Sequence, residues 1–412
     1  MASRSKLWPG LSVSSLAGED AGLNVIVRYR PSAVPTAPAL AIEGVSLRRH
    51  YRVFPMAAMR ITAAGLRRLE ADPTIEYIWP DLPVRAFLDK ATPAFQAPEV
   101  WALGYTGEGV RVAILDTGID GNHPDLADRV AASTDLTGEG PHDGHGHGTH
   151  VAGIVAGTGA ASGGRYKGVA PGARLYAAKV LGADGGGLTS TVIAGLEWAV
   201  EQGVQVVNLS LGSTGSSDGT DALSVACDTV VGRGIVVCVA AGNEGPGEYT
   251  IGSPGAARQP ITVGACTLDG QVADFSSRGP TADGRVKPDI VLPGVSITSC
   301  RAAGTQMGAV VDAYYTTASG TSMATPMASG LVALLLEAFP GLRPPEVKER
   351  LKRTAVDLGF SPYAQGAGRA DALRAYQNEG GPELPPPEPP PPPPQRPGCL
   401  PGLATLWRRV RP

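Results

Sequence analysis

Unbroken apolar runs recur through the middle of the chain and limit its possible folds more than any other feature. A strand that is apolar at nearly every position is covered on both faces, which is characteristic of parallel sheets wrapped by helices. Five runs have this pattern: Val110–Leu115, Arg174–Leu181, Val204–Leu209, Ile235–Ala240 and Ile261–Ala265. Helical patterns occur between and after them: His147–Ala156, Thr189–Gln202, Asp221–Arg233, Ser322–Ala338 and Pro345–Ala355. The sequence therefore predicts an α/β fold with a mostly parallel central sheet, helices on both faces, and functional side chains at the carboxyl ends of the strands.

A smaller α+β unit is predicted ahead of this sheet. Alternating residues predict strands at Leu23–Tyr29 and Thr74–Trp79, with an amphipathic helix over Ile61–Asp72 between them. Two prolines then favour an extended segment over Pro80–Leu88. The chain is expected to divide into a leader (1–22), this small unit (23–88), a large domain (89–378) and a proline-rich tail (379–412).

Composition narrows the function classes. The 412 residues are 43% hydrophobic, enough for a sizeable core, and a net charge of −3 gives no sign of a nucleic-acid partner. No run of about 18 apolar residues occurs, so no membrane span is expected. Met1–Asp20 lacks the long apolar stretch of a signal peptide. The five cysteines fit no zinc or disulfide spacing, and they leave the redox compartment open.

Ser322 is the first functional candidate. It lies in Gly320–Pro326. The apolar run Leu331–Leu336 that comes after it predicts a buried helix that begins at or near Ser322. Pro326 is expected in the first turn, where a missing N–H does little harm. A hydroxyl there lies beside unpaired backbone N–H groups, which stabilise the negative charge that develops in acyl transfer. Serine is also a common helix N-cap, so this segment alone leaves both roles open.

Two further polar residues follow predicted strands. Asp116 comes directly after Val110–Leu115, and Asn243 follows Ile235–Ala240. Asp116 lies where such a sheet presents its site, and the amide of Asn243 can donate a hydrogen bond to a developing oxyanion. Both residues also occur in ordinary turn sequences, so neither is decisive by itself.

Four of the six histidines lie within the glycine-rich segment that starts at His142 and ends at His150. Clustered histidines with a carboxylate are one way to bind zinc. A general base needs only one of them. His147 and His150 are one helical turn apart, without the spacing of four residues that the common zinc motif uses. This segment therefore leaves two interpretations open, a zinc site and a general base.

Together these segments resemble the subtilisin-like serine proteases, or subtilases, over about residues 24–375. Three motifs occur in the order of that family: Asp116-Thr117-Gly118-Ile119, His147-Gly148-Thr149-His150-Val151-Ala152-Gly153 and Gly320-Thr321-Ser322-Met323-Ala324-Thr325-Pro326. The resemblance implies that Ser322 is the nucleophile, His147 the general base and Asp116 the residue that orients and stabilises the imidazolium. Asn243 and the backbone N–H of Ser322 would form the oxyanion hole. A hydroxyl, a base and an orienting carboxylate are what this chemistry requires.

The resemblance also implies how a protein or peptide substrate binds. Two edges would pair with an extended peptide as an added strand. They are formed by Ser210, Leu211 and Gly212 on one side and by Gly185, Gly186 and Gly187 on the other. Gly252 matches the floor of the main specificity pocket, where it would leave room for a large apolar side chain. Without the motifs, these glycines would be equally consistent with plain turns.

The small unit resembles the inhibitory, chaperone-like propeptide of the family, which covers the active site until the enzyme removes it. Alignment on Tyr77 to Leu88 puts the cut near Phe87 or Leu88. The family resemblance further implies a secreted monomer. An intracellular location stays open because no clear signal peptide is present.

No cofactor is expected for catalysis, and structural calcium is implied by the resemblance alone. Asp125 matches a calcium ligand of the family, but Thr158–Lys167, the loop that holds calcium in many relatives, contains no Asn or Asp. No metal site is therefore assigned. Two rival functions are kept: a metal-dependent hydrolase built on the histidine cluster, and a binding module that has lost activity. The complete set of candidate catalytic residues argues against the second.

Overall fold

The structure, a computed structural model, describes residues 6–8, 11, 22–30, 44–81, 83–86 and 96–378, with 83–86 described by their backbone alone. All of these residues belong to one compact unit, Met1–Gly381. The predicted proline-rich tail lies outside the described residues.

The N-terminal part is a four-stranded antiparallel sheet with one helix. Its elements are β1 (Leu23–Tyr29), β2 (Val45–His50), β3 (Met56–Ile61), α1 (Ala63–Ala71) and β4 (Ile75–Pro80), with the strand order β2-β3-β1-β4. The side chain of Thr62 accepts the N–H of Gly65 and caps α1. Ile61, which was predicted in the helix, therefore belongs to β3. Within the predicted leader, the N–H of Trp8 donates to the carbonyl of Ile78 at 3.1 Å, so residues 6–8 lie beside β4.

The larger part contains the remaining elements. They are β5 (Pro83–Ala86), α2 (Ala97–Ala102), β6 (Arg111–Asp116), β7 (Val130–Asp135), α3 (His147–Ala156), β8 (Arg174–Lys179), β9 (Gly186–Leu188), α4 (Thr189–Glu201), β10 (Val206–Leu209), β11 (Leu211–Gly212), α5 (Ala222–Val231), β12 (Val236–Ala240), β13 (Ile261–Cys266), β14 (Ile290–Pro293), β15 (Ile297–Cys300), β16 (Ala309–Val310), β17 (Tyr315–Ala318), α6 (Thr321–Ala338), α7 (Pro344–Arg353), α8 (Pro362–Gln365) and α9 (Ala372–Gln377).

Seven of these strands form the central sheet, in the order β14-β13-β12-β10-β6-β8-β7. Every neighbouring pair in it is parallel. The five predicted apolar runs supply β6, β8, β10, β12 and β13. The predicted α/β fold with a mostly parallel sheet is therefore confirmed.

Helices cover both faces of the sheet, and each face buries its own apolar cluster. Ile114 of β6 packs in one cluster with Leu331 of α6, whereas the next residue, Leu115, packs in the other with Leu196 of α4. Successive side chains of a strand point to opposite faces, so a strand buried on both sides must be apolar throughout. This requirement explains the unbroken apolar runs of the sequence.

α6 is the one helix among the described residues that is long and apolar enough to cross a membrane. It is the central helix of the core on its face of the sheet, and 89% of its apolar window is buried inside the protein. Its apolar composition is therefore explained by the packing of the core.

The N-terminal sheet packs on the α4 and α5 side of the large part. Ile26, Tyr51 and Trp79 share the apolar cluster that contains residues of α4 and α5. The hydroxyl of Tyr51 donates to the carbonyl of Ser190 at 2.9 Å, and the Trp79 indole N–H donates to the carbonyl of Thr220 at 3.1 Å. Apolar burial and hydrogen bonds from aromatic side chains thus hold the two parts together.

Candidate active site

Asp116 and His147 meet at the carboxyl end of β6. Asp116 is the last residue of β6, and His147 is the first residue of α3. Asp116 Oδ1 lies 2.7 Å from His147 Nδ1, and both side chains are buried. A carboxylate oxygen can only accept, so the imidazole donates from Nδ1 and its basic nitrogen is Nε2. The pair therefore presents an oriented imidazole of one defined tautomer.

Asp143 fixes the start of α3, and the sequence motifs did not single it out. Its buried carboxylate accepts the N–H groups of Gly146 at 2.7 Å and Thr149 at 2.9 Å. It also accepts the hydroxyls of Thr117 at 2.8 Å and Thr149 at 2.7 Å. One side chain thus satisfies the N–H groups at the helix start and ties the helix to the loop that follows Asp116. The only signal for it in the sequence was an acidic residue shortly before a predicted helix.

Gly148 allows α3 to approach that loop closely. A Cβ at this position would lie 2.1 Å from the carbonyl oxygen of Gly118 and 3.1 Å from Cβ of Asp116. The first of these atoms belongs to the backbone and cannot rotate away. A glycine is therefore required for the imidazole to reach the carboxylate.

Ser322 is the second residue of α6 and is bonded to Ser210, the residue after β10. Its Oγ donates to the carbonyl of Ser210 at 2.9 Å, and its own carbonyl accepts the Ser210 hydroxyl at 2.9 Å. β10 and β6 are neighbouring parallel strands, so Ser210 and Asp116 lie at the same end of the sheet. The fold thus brings residues from three distant segments to the carboxyl end of the central sheet.

Pro326 lies in the second turn of α6, so its predicted place in the first turn was wrong. A proline here cannot donate to the carbonyl four residues earlier, which is that of Ser322. The Ser210 hydroxyl donates to that carbonyl instead, while accepting the Nδ2 amide of Asn208 at 2.9 Å. The gap in the helical hydrogen bonds is therefore filled from the sheet.

Asn243 follows β12 and is oriented by Thr321. Its amide oxygen accepts the backbone N–H of Thr321 at 2.9 Å and the Thr321 hydroxyl at 3.0 Å. A backbone N–H can only donate, so the amide oxygen must face Thr321 and the NH2 group must point away from it. The residue next to Ser322 thus sets the direction in which Asn243 donates.

The two predicted substrate edges belong to a separate three-stranded sheet, in the order β11-β5-β9. β5 runs antiparallel between the two edges. Ala86 lies opposite Leu211, and Arg85 lies opposite both Gly212 and Gly186. An extended segment of the chain itself therefore pairs with both edges, as an added strand would.

The structure explains why position 252 is a glycine, and the explanation differs from the one expected. A Cβ at Gly252 would lie 2.1 Å from the carbonyl oxygen of Ser213. The glycine is needed because two backbone segments approach closely at this point. Its part in a specificity pocket stays a prediction.

The clustered histidines do not converge on one point. His147 is engaged with Asp116, and His150 Nε2 lies 3.0 and 3.2 Å from two backbone carbonyls. His142 is exposed, while His145 is partly buried with its ring 6.3 Å from that of His147. Burial lowers the pKa of His145, and the neighbouring His147 lowers it further. In the described part of the chain, these histidines form no metal-ligand set, and the metal-dependent hydrolase gains no support.

A different group of ligand atoms, from His123, Asp125 and Cys300, lies within 4.8 Å of one another. Protein donors already surround the carboxylate. Asp125 Oδ1 accepts the N–H of Ala161 at 2.9 Å, and Oδ2 accepts the Tyr315 hydroxyl at 2.8 Å and the Cys300 thiol at 3.7 Å. Hydrogens that point at the carboxylate occupy the directions from which a cation would approach. These residues therefore do not fit a calcium ion, although Asp125 matches a calcium ligand of the family.

The fold and these contacts define a class of protein before any comparison is made. A buried carboxylate–imidazole pair lies at the carboxyl end of a parallel sheet. A serine at the start of a helix lies at the same end. An asparagine, whose NH2 group points away from the residue before that serine, could donate a hydrogen bond to an oxyanion. This set of groups is that of a hydrolase with a serine nucleophile.

Comparison with known proteins identifies the family. The Subtilase family profile matches residues 107–373. Serine protease AprX of Bacillus subtilis (strain 168) is 40% identical over 384 residues, which cover 85% of this chain and 87% of that protein. Subtilisin E of the same strain is 37% identical over 338 residues, covering 81% and 84%. M-protease of Shouchella clausii (strain KSM-K16) is 38% identical over 332 residues, covering 80% and 81%. The chain belongs to the subtilase family and is a serine endopeptidase.

Proposed function

We propose that Ser322 is the nucleophile of this endopeptidase, with His147 as its general base and Asp116 as the residue that orients the imidazole. The observation that carries this proposal is the buried contact of 2.7 Å between Asp116 and His147, at the sheet edge where Ser322 lies. Ser322 Oγ attacks the carbonyl carbon of the scissile bond as its proton passes to His147. The imidazolium then gives that proton to the leaving amine. Water next attacks the acyl carbonyl as its proton passes to His147, and the bond to Ser322 Oγ breaks as Oγ takes that proton back.

Asn243 and the backbone N–H of Ser322 would hold the oxyanion. The amide NH2 of Asn243 is turned away from Thr321 because its oxygen is taken by that residue. The N–H of Ser322 belongs to the first turn of α6, where backbone donors have no partner within the helix. Two such donors stabilise the tetrahedral intermediate. The mechanism uses only groups of the protein and needs no cofactor.

The substrate is proposed to be an extended protein or peptide segment bound between β9 and β11. Ser210, Leu211 and Gly212 would form one edge, and Gly185, Gly186 and Gly187 the other. β5 supports this proposal because it occupies the same place with antiparallel pairing on both sides. A preference for a large apolar side chain before the scissile bond is proposed from the resemblance at Gly252.

The segment that contains β5 is proposed to be the end of an inhibitory propeptide that the enzyme cuts itself. Residues 23–88 would form the propeptide, residues 89–378 the catalytic domain and residues 379–412 an appended tail. Ala86 of β5 pairs with Leu211, the neighbour of Ser210, and Ser210 is bonded to Ser322, so the described end of β5 lies near the proposed nucleophile. Phe87 and Leu88 lie outside the described residues. The mature protein would begin within a few residues of Leu88.

A fluorophosphonate probe tests the nucleophile. Peptide mapping should find the label on Ser322 in the wild type, and Ser322→Ala should remain unlabelled. A label on another residue would contradict the assignment. Inhibition by a chelator without labelling would favour the metal-dependent hydrolase. A protein that neither takes the label nor cuts casein would be the inactive binding module.

Intact-mass measurement tests the processing. The wild type should lose a fragment that ends close to Leu88, whereas purified Ser322→Ala should keep its full mass. Equal masses for the two proteins would contradict self-processing. A secreted monomer is proposed from the family alone, and it is tested by assay of the culture medium and by light scattering of the processed protein.

A further inference from the structure

Lys179, the last residue of β8, is a buried cation near the active site. Its ammonium group donates to the carbonyl of Thr117 at 2.9 Å and to the carbonyl of Leu181 at 3.1 Å. It also lies 3.4 Å from Oε2 of Glu139. Two of its three N–H donors are therefore used by backbone carbonyls, and the Glu139 carboxylate lies within ion-pair distance. Lys179 therefore joins the loop after Asp116 to the segment that leads into β9.

Glu139 has a second contact, on that segment. The same Oε2 accepts the backbone N–H of Ala183 at 2.8 Å. Ala183 lies in a tight turn that is closed by bonds from the N–H of Gly182 to the carbonyl of Gly186 at 2.8 Å and from the N–H of Gly185 to the carbonyl of Gly182 at 3.0 Å. The turn ends in β9, so the position of the β9 edge depends on where Glu139 holds Ala183.

We propose that Glu139 and Lys179 are positioning residues of this endopeptidase, which hold the β9 edge at the separation from β11 that an extended substrate requires. This inference rests on the proposed substrate edges. The evidence on that side is the pairing of β5, whose Arg85 lies opposite Gly186 of β9 and Gly212 of β11. A strand can pair on both sides only if the two edges stand a fixed distance apart.

The ion pair suits this task because its members differ in exposure. The side chain of Lys179 is buried, whereas that of Glu139 is 47% exposed. A buried ammonium requires a nearby acceptor of opposite charge, so Lys179 holds the carboxylate of Glu139 in place. Glu139 then holds the tight turn that contains Ala183. Neither side chain is among those that touch Ser322 or His147 in the described contacts. Their effect should therefore appear in the binding of substrate residues that pair with β9.

The test compares substrates of two lengths on the processed enzyme. Glu139→Ala should lower kcat/KM about threefold to tenfold, mostly through KM, for a peptide with four residues before the scissile bond. It should lower kcat/KM far less for an amide with a single residue there, which cannot reach β9. Glu139→Gln keeps an oxygen for the Ala183 N–H and should fall between Glu139→Ala and the wild type.

Glu349→Ala is the matched control. Glu349 is 41% exposed and pairs with Lys352 at 2.9 Å on α7, so its loss removes a similar ion pair elsewhere. Glu349→Ala should leave kcat/KM unchanged for both substrates. The inference would be overturned if Glu139→Ala lowered kcat/KM equally for both substrates, or did not lower it for the long peptide. Thermal unfolding of each variant separates a general loss of structure from a local one.

A second arm separates this inference from the proposed function. Three long peptides are made, each with one methylated backbone nitrogen, at the second, third or fourth residue before the scissile bond. If β9 and β11 pair with the substrate, at least one methylated peptide should be cut more slowly by the wild type. No effect at any position would mean that the proposed edges are wrong. A methylation effect combined with an unchanged Glu139→Ala would reject the positioning role alone.

Discussion

Thr321, the residue before the proposed nucleophile, fixes the orientation of Asn243, the proposed donor of the oxyanion hole. Its N–H and its hydroxyl both donate to the amide oxygen of Asn243, so the amide cannot turn its oxygen towards a developing oxyanion. An oxygen in that position would repel the negative charge, whereas the NH2 group stabilises it. The proposed rate effect of Asn243 therefore depends on an orientation fixed before the substrate binds.

Replacement of Asn243 by Ala should lower kcat about 10²–10³-fold and change KM little, because the lost donor acts on the transition state. The size of this effect is that of the equivalent change in a subtilisin, a member of the same family. Steady-state kinetics on a peptide amide provides the measurement. Asn378→Ala, at the end of α9, is the control and should behave as the wild type. A drop in kcat of less than about fivefold would exclude Asn243 from the oxyanion hole.

Individual residues also mark the limit of what the sequence can predict. The start of the helix at Ser322 followed from a glycine and an apolar run, both of which act locally. The partner of the Ser322 carbonyl could not be predicted, because Ser210 lies 112 residues away and only the packing of α6 against β10 joins them. Asp143 was missed for a similar reason, since most polar side chains before a helix contact only that helix, whereas Asp143 also bonds to Thr117.

Among the elements, α3 carries a histidine that must stay neutral. His150 is buried, and its Nε2 donates to the carbonyls of Ile297 and Thr316, which belong to β15 and β17. Burial lowers the pKa of His150 from 6.5 to about 3, and the nearby His147 adds to the effect. The unfolded chain binds a proton below pH 6.5, while the folded protein does not until the pH approaches about 3. The contribution of His150 to stability is therefore complete above pH 6.5 and is lost as the pH falls towards 3.

His150→Gln should flatten this dependence, because glutamine keeps a donor for the carbonyls and cannot be protonated. Between pH 6.5 and pH 4, the wild type should lose up to about 1.4 kcal/mol of unfolding free energy per pH unit from this residue. Urea unfolding in a Ser322→Ala background, which avoids self-digestion, measures the slope. His142→Gln changes an exposed histidine and should keep the wild-type slope. Parallel curves for His150→Gln and the wild type would show that His150 is not the acid-sensitive group.

The loop Thr158–Lys167 is held by hydrogen bonds to Asp125, and its stability should not depend on calcium. Asp125→Ala should lower the unfolding free energy by about 2–5 kcal/mol, because the Ala161 N–H and the Tyr315 hydroxyl would lose a buried acceptor. Because no calcium is expected at this loop, EDTA should not lower the melting temperature of the wild type. Thermal unfolding of both proteins in EDTA and in calcium chloride is the measurement. Calcium that stabilised the wild type but not Asp125→Ala would place an ion at this carboxylate.

The strands that the sequence predicted differ physically from those it did not. Each of the five predicted strands is buried on both faces, so its apolar run is long enough to be recognised. β7 is at one edge of the sheet, and its residues alternate between partly buried and exposed, as in VAASTD. β14, at the other edge, has only four residues and ends in Pro293. β7 was therefore missed because it is half-exposed, and β14 because it is short, although all four of its residues are buried.

At the scale of the whole molecule, the N-terminal sheet is attached through two acidic side chains that lie at different places around α4. Asp81 accepts the backbone N–H of Ser190 at 2.9 Å, at the N-terminal end of α4. Glu197, further along the helix, accepts the N–H groups of Arg52 and Val53. A carboxylate at a helix start is also favoured by the helix dipole. Together with the apolar contact of Tyr51 and Trp79, these bonds hold the N-terminal sheet against α4, and β5 follows that sheet in the chain.

If residues 23–88 are the propeptide proposed above, Glu197→Ala should weaken their docking after cleavage about 10-fold to 100-fold, since two backbone donors lose a charged acceptor. After processing, full activity should therefore appear sooner than in the wild type, and kcat/KM per labelled Ser322 should be unchanged. Glu201→Ala is the matched control, because the contact of the Glu201 side chain among the described residues is an exposed ion pair with Arg52 at 3.8 Å, which contributes little. Activity and intact mass are followed together, so that inhibition by the cleaved fragment is separated from slow cleavage. An unchanged delay in Glu197→Ala would mean that the apolar contact alone sets the inhibition. A lower final kcat/KM would mean that Glu197 affects the active site itself.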